Sequence, residues 1–239
     1  MEFDALTVVI LALVIPASFV LSAAAGLGGS LILVPGLMLA IGTREGIAVA
    51  ALLLACNNIA KVVVYRKTLP WGASALIASA VIAGSALGAT LMLQMPEVWV
   101  RYTVAIMLLL TLAGDFFAHG PVRRVWAVFL AFLSGGTSGF SGTSGPLKGI
   151  AIRSLQLERF YFVGAASLVS MVGDMTKALV FTQSGLISMN HLLLAGALVP
   201  VMAVCTLVGR KINREVGEKW YSVLFWTVMG GYLTRLMVA

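Results

Sequence analysis

The feature that most constrains this chain is a series of long apolar segments joined by short connections. The segments cover residues 5–40, 46–65, 71–93, 98–118, 122–133, 160–181, 187–209 and 220–238. Most of them match the roughly 20 residues that a helix needs to cross the hydrocarbon core of a bilayer. The runs are continuous rather than alternating, and open sheet edges cannot face lipid, so they predict helices and not a barrel. The sequence therefore predicts an all-α polytopic membrane protein.

The charge content also indicates a chain embedded in lipid. Only 10% of the 239 residues are charged and 60% are hydrophobic, whereas soluble domains have roughly 25% charged residues. The net charge of +7 comes from basic residues in short loops, so it reflects topology and we expect no nucleic-acid partner. Cys56 and Cys205 lie within apolar segments and indicate neither a disulfide framework nor a metal site. The sequence shows no nucleotide-binding loop and no catalytic constellation, so we expect neither an enzyme nor a cofactor.

The basic residues predict the topology, because cytoplasmic loops are enriched in lysine and arginine. Four connections are basic: they contain Arg66 and Lys67; Arg123 and Arg124; Lys148, Arg153 and Arg159; and Arg210, Lys211, Arg214 and Lys219. If these are cytoplasmic, both termini are external, and residues 5–40 and 122–152 each begin and end on one side. A straight helix of the 36 residues 5–40 would be about 54 Å long, against a core of about 30 Å. Each stretch is therefore predicted to be a hairpin with a glycine-rich break, at residues 26–30 and 135–146. Both a full crossing and a re-entrant turn fit its length.

The two halves of the chain resemble each other when the sequence is shifted by 116 residues without gaps. At this offset Gly26 aligns with Gly142, Gly29 with Gly145 and Lys61 with Lys177. We therefore predict two repeats in a single membrane domain: residues 1–118 (hairpin 5–40 and three spans) and residues 119–239 (hairpin 122–152 and three spans). Each repeat makes an odd net number of crossings, so the second is predicted to be inverted. Inverted repeats build many secondary transporters, with the substrate at the repeat interface near the midplane.

The glycine breaks are the first candidate substrate site. Irregular backbone at membrane depth occurs inside protein or along a watery cavity, and a helix that begins there directs free N–H groups towards an anion. The candidate residues are Gly28, Gly29 and Ser30 in the first hairpin and Ser141, Thr143, Ser144, Gly145 and Pro146 in the second. In the alternative interpretation, the glycines only allow helices to pack closely.

Polar side chains within the spans are the second candidate. Lys61 and Lys177 lie in apolar segments, where a charge costs about 2.5–3.5 kcal/mol on insertion scales, so either they bind substrate or they snorkel to the membrane surface. Asn57 and Asn58 lie one turn before Lys61, and they either line the same cavity or hydrogen-bond a neighbouring helix. Asp174 shares a helix face with Lys177. It either forms an internal ion pair or couples transport to a proton or cation.

The same residues carry a family resemblance that covers nearly the whole chain. The parts that carry it are Gly-Leu-Gly-Gly-Ser-Leu-Ile-Leu-Val-Pro at residues 26–35, the asparagine-rich helix ending in Lys61 and Tyr65, and Ser-Gly-Phe-Ser-Gly-Thr-Ser-Gly-Pro at residues 138–146 followed by Lys177. Together they resemble the TauE/SafE family of sulfite and sulfonate exporters. The resemblance implies export of small anions, such as sulfite or sulfoacetate, across a bacterial inner membrane.

The combined prediction is a secondary transporter of small sulfur-containing anions. The substrate would rest between the two glycine breaks, with Lys61 or Lys177 supplying charge, and the halves would move around it by alternating access. The expected partners are the anionic substrate, the lipid bilayer and a coupling proton or cation. Two other classes stay open at this point: an anion channel or passive permease, and a non-transporting membrane scaffold.

Overall fold

The described part of the chain is entirely helical. A computed structural model describes residues 5–25, 28–117, 123–144 and 146–215, and within these ranges it contains α-helices, one 3-10 turn and no strand. The helices are α1 (Ala5–Ala25), α2 (Gly29–Ile41), α3 (Thr43–Val64), α4 (Trp71–Gln94), α5 (Glu97–Phe117), α6 (Arg124–Ser141), α7 (Leu147–Arg153), α8 (Arg159–Gln183) and α9 (Met189–Glu215), with the 3-10 turn Arg66–Thr68 between α3 and α4. The predicted all-α architecture is therefore confirmed for these residues.

Four of the described helices, α3, α4, α8 and α9, are long and apolar enough to cross a membrane. They coincide with the predicted spans at 46–65, 71–93, 160–181 and 187–209 to within a few residues. Large apolar side chains on α9 stay exposed, among them Leu193 and Val204 at 65% and 60%, which suits a surface whose solvent is lipid. The predicted last span, 220–238, lies outside the described residues.

The first glycine motif lies between two helices. Helix α1 ends at Ala25 and α2 begins at Gly29. Between them Gly28 has a φ of 101°, in the left-handed region that glycine enters without the steric cost of a Cβ. The break between the two helices therefore falls within the glycine motif, as predicted.

The second hairpin differs from the prediction, because its break is shorter than its glycine-rich sequence. Helix α6 continues through Gly135 and Gly139 and ends at Ser141, and Gly142 follows with a φ of 77°. The break predicted to begin at residue 135 therefore begins at residue 142. The physical reason is packing, because a Cβ at Gly135 or Gly139 would collide with the backbone of α4. For this part of the motif, the close-packing interpretation is the correct one.

The helices pack in pairs that recur along the chain. Helix α3 packs against α8 in the middle of the bundle, and the pairs α4–α6, α1–α9, α4–α8 and α3–α9 surround it. Helices α1, α2, α3 and α4 begin 116 to 119 residues before α6, α7, α8 and α9. With each helix exchanged for its counterpart, α4–α6 becomes α9–α1 and α4–α8 becomes α9–α3, so both kinds of contact occur twice. This arrangement brings the centres of α3 and α8 together.

Candidate functional site

The crossing of α3 and α8 holds a continuous run of buried polar side chains. Asn58 Nδ2 donates a hydrogen bond of 2.7 Å to Asp174 Oδ2, and Lys177 Nζ lies 2.6 Å from Asp174 Oδ1. Lys61 Nζ donates to Asn58 Oδ1 at 3.0 Å. At the two ends, the lysines each donate a 3.0 Å hydrogen bond to a serine hydroxyl on the first helix of a hairpin. We call this run the polar chain; its members are Ser22, Lys61, Asn58, Asp174, Lys177 and Ser138.

The polar chain repeats itself at the sequence offset of 116 residues. Its equivalent positions are Asn58 and Asp174, Lys61 and Lys177, and Ser22 and Ser138. Both lysine–serine hydrogen bonds span 39 residues, and in both halves the lysine contacts the polar residue three positions before it. The halves differ in one respect, because the first has a neutral amide where the second has a carboxylate.

Both lysines are fully buried. Lys61 and Lys177 have 0% exposure, and Asp174 has 4%. The snorkelling alternative is therefore wrong for both lysines, whereas the ion pair between Asp174 and Lys177 is confirmed. The alternative that an asparagine bonds a neighbouring helix is confirmed for Asn58. A buried charge is tolerated only when it is paired and hydrogen-bonded, and the polar chain supplies such partners.

The first glycine break lies against one end of the polar chain. A Cβ at Gly29 would lie 2.8 Å from Ser22 Cβ and 3.0 Å from Ser22 Oγ, the hydroxyl that accepts from Lys61. Gly28 precedes α2 and provides no side-chain cap, and Ser30 is half-buried in the first turn. The first N–H groups of a helix have no partner within the helix, so the start of α2 brings hydrogen-bond donors to the vicinity of Lys61.

The second glycine break provides a buried hydroxyl. Thr143 Oγ1 is buried without a hydrogen-bond partner among the described residues, and Ser144 is buried beside it. The hydroxyl of Ser141 differs from the prediction, since it lies 2.8 Å from Thr137 O and 3.1 Å from Thr143 O and its proton is used by the backbone. Pro146 directly precedes α7, and its carbonyl accepts from Ile150 N. The candidate Gly145 lies outside the described residues.

The second glycine break packs against helices of the first half. A Cβ at Gly142 would lie 2.9 Å from Val34 Cγ2 on α2 and 3.3 Å from Ile47 Cγ2 on α3. The turn of the second hairpin therefore contacts helices of the first half. Asn57, also buried on α3, faces α9: its Oδ1 lies 3.5 Å from Thr206 Oγ1, and its Nδ2 has no partner among the described residues.

Lys148 is a buried cation that sequence reasoning missed. We predicted it to be part of a basic cytoplasmic connection, but it is only 7% exposed and donates to Ser170 Oγ on α8 at 3.3 Å. Ser170 lies one turn before Asp174 on α8, so this bond places Lys148 against the helix that carries Asp174 and Lys177. Lys148 lies two residues after Pro146, in the first turn of α7, and this position separates it from the exposed Arg153 at the end of that helix.

The buried charges of the described residues are therefore unequal in sign. Among the side chains whose burial the structure describes, they comprise three lysines and one carboxylate, namely Lys61, Lys148, Lys177 and Asp174. The buried lysines, and donors such as Thr143 Oγ1 and Asn57 Nδ2 that are buried without a partner among the described residues, are groups that can bind a small oxyanion. The bound anion would both neutralise charge and accept hydrogen bonds.

A cavity of about 240 Å³ opens at the end of α3, one turn beyond Lys61. Its lining includes Tyr65, Lys67, Glu158 and Arg210. The Tyr65 hydroxyl donates to Ala23 O at 3.0 Å, and the Arg210 guanidinium lies 5.9 Å from the centre of the Tyr65 ring. Through Tyr65 the cavity wall is bonded to Ala23, which lies in the last turn of α1 and three residues before the first glycine break at residue 26.

Comparison with known proteins agrees with this description of the chain. A family model described as "Sulfite exporter TauE/SafE" matches residues 10–236. The matched region includes both glycine breaks, the whole polar chain and Lys148. No curated protein and no solved structure matches the chain significantly.

Proposed function

Since the chain belongs to the sulfite exporter TauE/SafE family, we propose that it is a secondary transporter that exports small sulfur-containing anions, such as sulfite or organosulfonates. The family and the apolar helices α3, α4, α8 and α9 make it an integral membrane protein of a transporter family. Beyond this, we propose that the protein lies in the bacterial inner membrane, that both termini are external and that the substrate binds at the location described below.

The observation that carries the proposal is the buried positive charge where α3 meets α8. Lys61 and Lys177 are fully buried, and Lys148, which donates to Ser170 one turn before Asp174 on α8, adds a third buried lysine. Removing an ionised group from water costs several kcal/mol unless an opposite charge compensates. Asp174 is the carboxylate among the buried side chains that the structure describes, and an anionic substrate would add negative charge to this cluster.

We place the substrate between the two glycine breaks, within reach of the lysines. The first turn of α2 at Gly28, Gly29 and Ser30 would supply backbone N–H donors, and so would the backbone at Ser144, Gly145 and Pro146. Thr143 and Asn57 would supply the side-chain donors that lack protein partners. Asn58 and Ser141 would shape the site, because their own hydrogen bonds are made to Asp174 and to the backbone.

The proposed transport cycle uses the two halves as moving bodies. Residues 1–118 and 119–239 would be inverted repeats, and alternating access would rock one against the other around the buried site. The bond between Asn58 and Asp174 joins α3 to α8, so it would break or shift as the halves move. Asp174 is the coupling candidate, because an anion that binds Lys177 would compete with its ion pair and leave the carboxylate able to accept a proton.

Flux of labelled sulfite from proteoliposomes tests the proposal. We expect Lys61→Met and Lys177→Met each to lower the initial rate at least tenfold, because each removes a buried cation from the site. Lys211→Gln is the matched control: it removes an exposed cation at the end of α9, and its rate should equal that of the unsubstituted protein. Full rates in both buried variants would contradict the proposed site. Flux that ignores an imposed proton gradient would instead favour a passive permease.

A further inference from the structure

The cavity at the end of α3 is lined by residues from three connections that contain basic side chains. Lys67 belongs to the 3-10 turn after α3, Glu158 directly precedes α8, and Arg210 lies near the end of α9. All three connections are among those that we predicted to be cytoplasmic. For an exporter, this is the side from which the substrate enters. The cavity, of about 240 Å³, also lies one helical turn beyond Lys61 of the polar chain.

Packing and hydrogen bonds hold the walls of this cavity in place. A Cβ at Gly164 on α8 would collide with Thr68 O, so the turn that carries Lys67 packs directly against the backbone of α8. Thr68 Oγ1 donates to Tyr65 O at 3.0 Å. Tyr65 is itself buried, and its hydroxyl donates to Ala23 O. A site whose walls are fixed before the ligand arrives binds that ligand at a lower cost in entropy.

Arg210 is well placed to bind an anion in this cavity. Its side chain is half-buried, and its guanidinium lies 5.9 Å from the centre of the Tyr65 ring, within the range of a cation–π interaction. The planar guanidinium can donate two parallel hydrogen bonds to an oxyanion. Lys67 lines the same cavity and is exposed, so it would add electrostatic attraction. The enrichment of cytoplasmic loops in basic residues explains why both cations are present, but it does not explain a guanidinium held over a buried ring.

The equivalent positions at the other end of the helices are uncharged. At the offset of 116 residues, Lys67 corresponds to Gln183 and Arg210 corresponds to Gln94. Both glutamines are exposed, and they lie in connections that the predicted topology places outside. At these positions the positive charge is therefore confined to the predicted cytoplasmic end, which suits a site that collects an anion before export.

We propose that this cavity is a second anion-binding site, an entry site in which Arg210 and Lys67 bind a small oxyanion before it moves to the polar chain. The entry role rests on the proposed function, whereas the binding of an oxyanion at Arg210 does not. Glu158 also lines the cavity, and its carboxylate repels an anion. The entry site therefore predicts effects of opposite sign when the basic and the acidic lining residues are neutralised.

Uptake of labelled sulfite into inside-out membrane vesicles, which present the cytoplasmic face to the medium, tests the entry role. Arg210→Gln should raise the half-saturating sulfite concentration about tenfold, as expected for the loss of a charged hydrogen-bonding group, with a smaller effect on the maximal rate. Lys67→Gln should raise that concentration about threefold and Glu158→Gln should lower it about threefold, because exposed charges contribute less.

Lys211→Gln is the matched control, because it removes an exposed cation next to Arg210. Its half-saturating sulfite concentration should equal that of the unsubstituted protein. A Glu158→Gln variant that changes this concentration in the same direction as Arg210→Gln would overturn the proposal. So would an Arg210→Gln variant that loses maximal rate at an unchanged half-saturating concentration.

A thiol placed in the cavity tests anion binding without requiring transport. Thr68 lines the cavity, so Thr68→Cys in lipid-free detergent can be labelled there with a neutral maleimide, after correction for the labelling of Cys56 and Cys205 in the unsubstituted protein. Sulfate at constant ionic strength should slow this labelling about threefold when its concentration is twice its dissociation constant. The double variant Thr68→Cys/Arg210→Gln should lose that protection. Labelling that sulfate does not slow, or that phosphatidylglycerol slows and sulfate does not, would show that the cavity is no site for a free oxyanion.

The two assays separate two kinds of failure. If sulfate protects Thr68→Cys but the vesicles take up no sulfite, the proposed transport function fails while the anion site stands. If sulfite uptake occurs but sulfate gives no protection, transport stands and the entry site is wrong. Should Arg210→Gln not yield folded protein, Lys67→Gln at its exposed position replaces it in both assays, and unchanged values in that variant would count against the proposal.

Discussion

Asp174 joins the two halves of the polar chain, because its carboxylate contacts a side chain in each half. One carboxylate oxygen accepts from Asn58 on α3 at 2.7 Å, and the other lies 2.6 Å from Lys177 one turn later on α8. It is also the one buried carboxylate among the side chains whose burial the structure describes. The removal of its charge would therefore leave Lys177 without the carboxylate that it contacts.

Asp174→Asn is accordingly expected to destabilise the protein in the absence of substrate. The loss should be about 3 kcal/mol, as is usual when one partner of a buried ion pair is removed, and it would appear as a lower apparent melting temperature in detergent. The double variant Asp174→Asn/Lys177→Met removes both charges and should lose less than the single variant. A double variant that melts at the lower temperature of the two would contradict this account of the pair.

At this scale, the sequence revealed the charges but not their partners. Lys61, Lys177 and Asp174 are conspicuous because each lies in an otherwise apolar run. Serines are frequent in apolar helices, so nothing in the sequence distinguishes Ser22 and Ser138, which depend on how α1 and α6 cross α3 and α8. Lys148 was misassigned because basic residues near the end of a hairpin normally mark a cytoplasmic loop; its place in the first turn of α7 and its burial separate it from that pattern.

Among the helices, the closest contact is the one between α4 and α6, and glycine makes it possible. Gly84 and Gly88 on α4 face Gly135 and Gly139 on α6 in two small-residue patterns of spacing four, and a Cβ at any of them would collide with backbone of the other helix. Small residues with this spacing let membrane helices approach closely. The glycines of α6 up to Gly139 therefore allow the close approach of α4, and the chain leaves the helix only at Gly142, near the end of the motif.

Gly88→Ala tests this contact, and Gly72→Ala on the same helix is its control. A Cβ at residue 88 would collide with Gly136 O and lie 2.9 Å from Phe140 N, whereas a Cβ at residue 72 would meet nothing within 4 Å. We expect Gly88→Ala to lower the free energy of unfolding by about 2 kcal/mol through overpacking. Gly72→Ala should be neutral or stabilising, because alanine is the better helix former. Equal shifts of the apparent melting temperature in both variants would show that the α4–α6 contact is looser than described.

Hydropathy predicted the positions of the helices well, whereas the glycine-rich runs predicted the breaks between helices less well. Apolar runs of about 20 residues predicted α3, α4, α5, α8 and α9 to within a few residues, because the bilayer fixes the length. A glycine-rich run, in contrast, has two physical uses, close packing and chain reversal. The sequence alone does not separate them over residues 135–146, since the distinction depends on whether α4 lies alongside.

For the whole molecule, the similarity of the two halves is best supported by contacts between residues distant in the sequence, because such contacts occur in corresponding pairs. The hydrogen bonds Lys61–Ser22 and Lys177–Ser138 have the same length of 3.0 Å and the same separation of 39 residues. The helix pairs α4–α6 and α9–α1 also correspond. The offset of 116 residues was visible in the sequence through a few glycines and one lysine pair. That Asn58 and Asp174, themselves 116 residues apart, bond to each other could not be foreseen without knowing that α3 meets α8.

If the two halves are equivalent repeats, a carboxylate at residue 58 should stabilise the polar chain as the carboxylate at residue 174 does. In the double variant Asn58→Asp/Asp174→Asn, the introduced carboxylate would lie beside Lys61, whose Nζ is 3.0 Å from the present Asn58 Oδ1. The introduced amide would lie beside Lys177 and donate across to α3. The single change Asn58→Asp would instead place two carboxylates face to face at the 2.7 Å contact, which is unfavourable unless they share a proton.

We therefore expect the exchanged variant to be more stable than either single variant and to recover at least half of the roughly 3 kcal/mol lost in Asp174→Asn. Apparent melting temperatures of the four proteins, measured in one detergent and without added anions, form a complete cycle that isolates the coupling between the two positions. Recovery would mean that α3 and α8 offer equivalent environments to the charge, as related halves require. Losses that simply add would mean that the two positions are not equivalent, and the symmetry of the polar chain would then be one of sequence spacing and not of energetics.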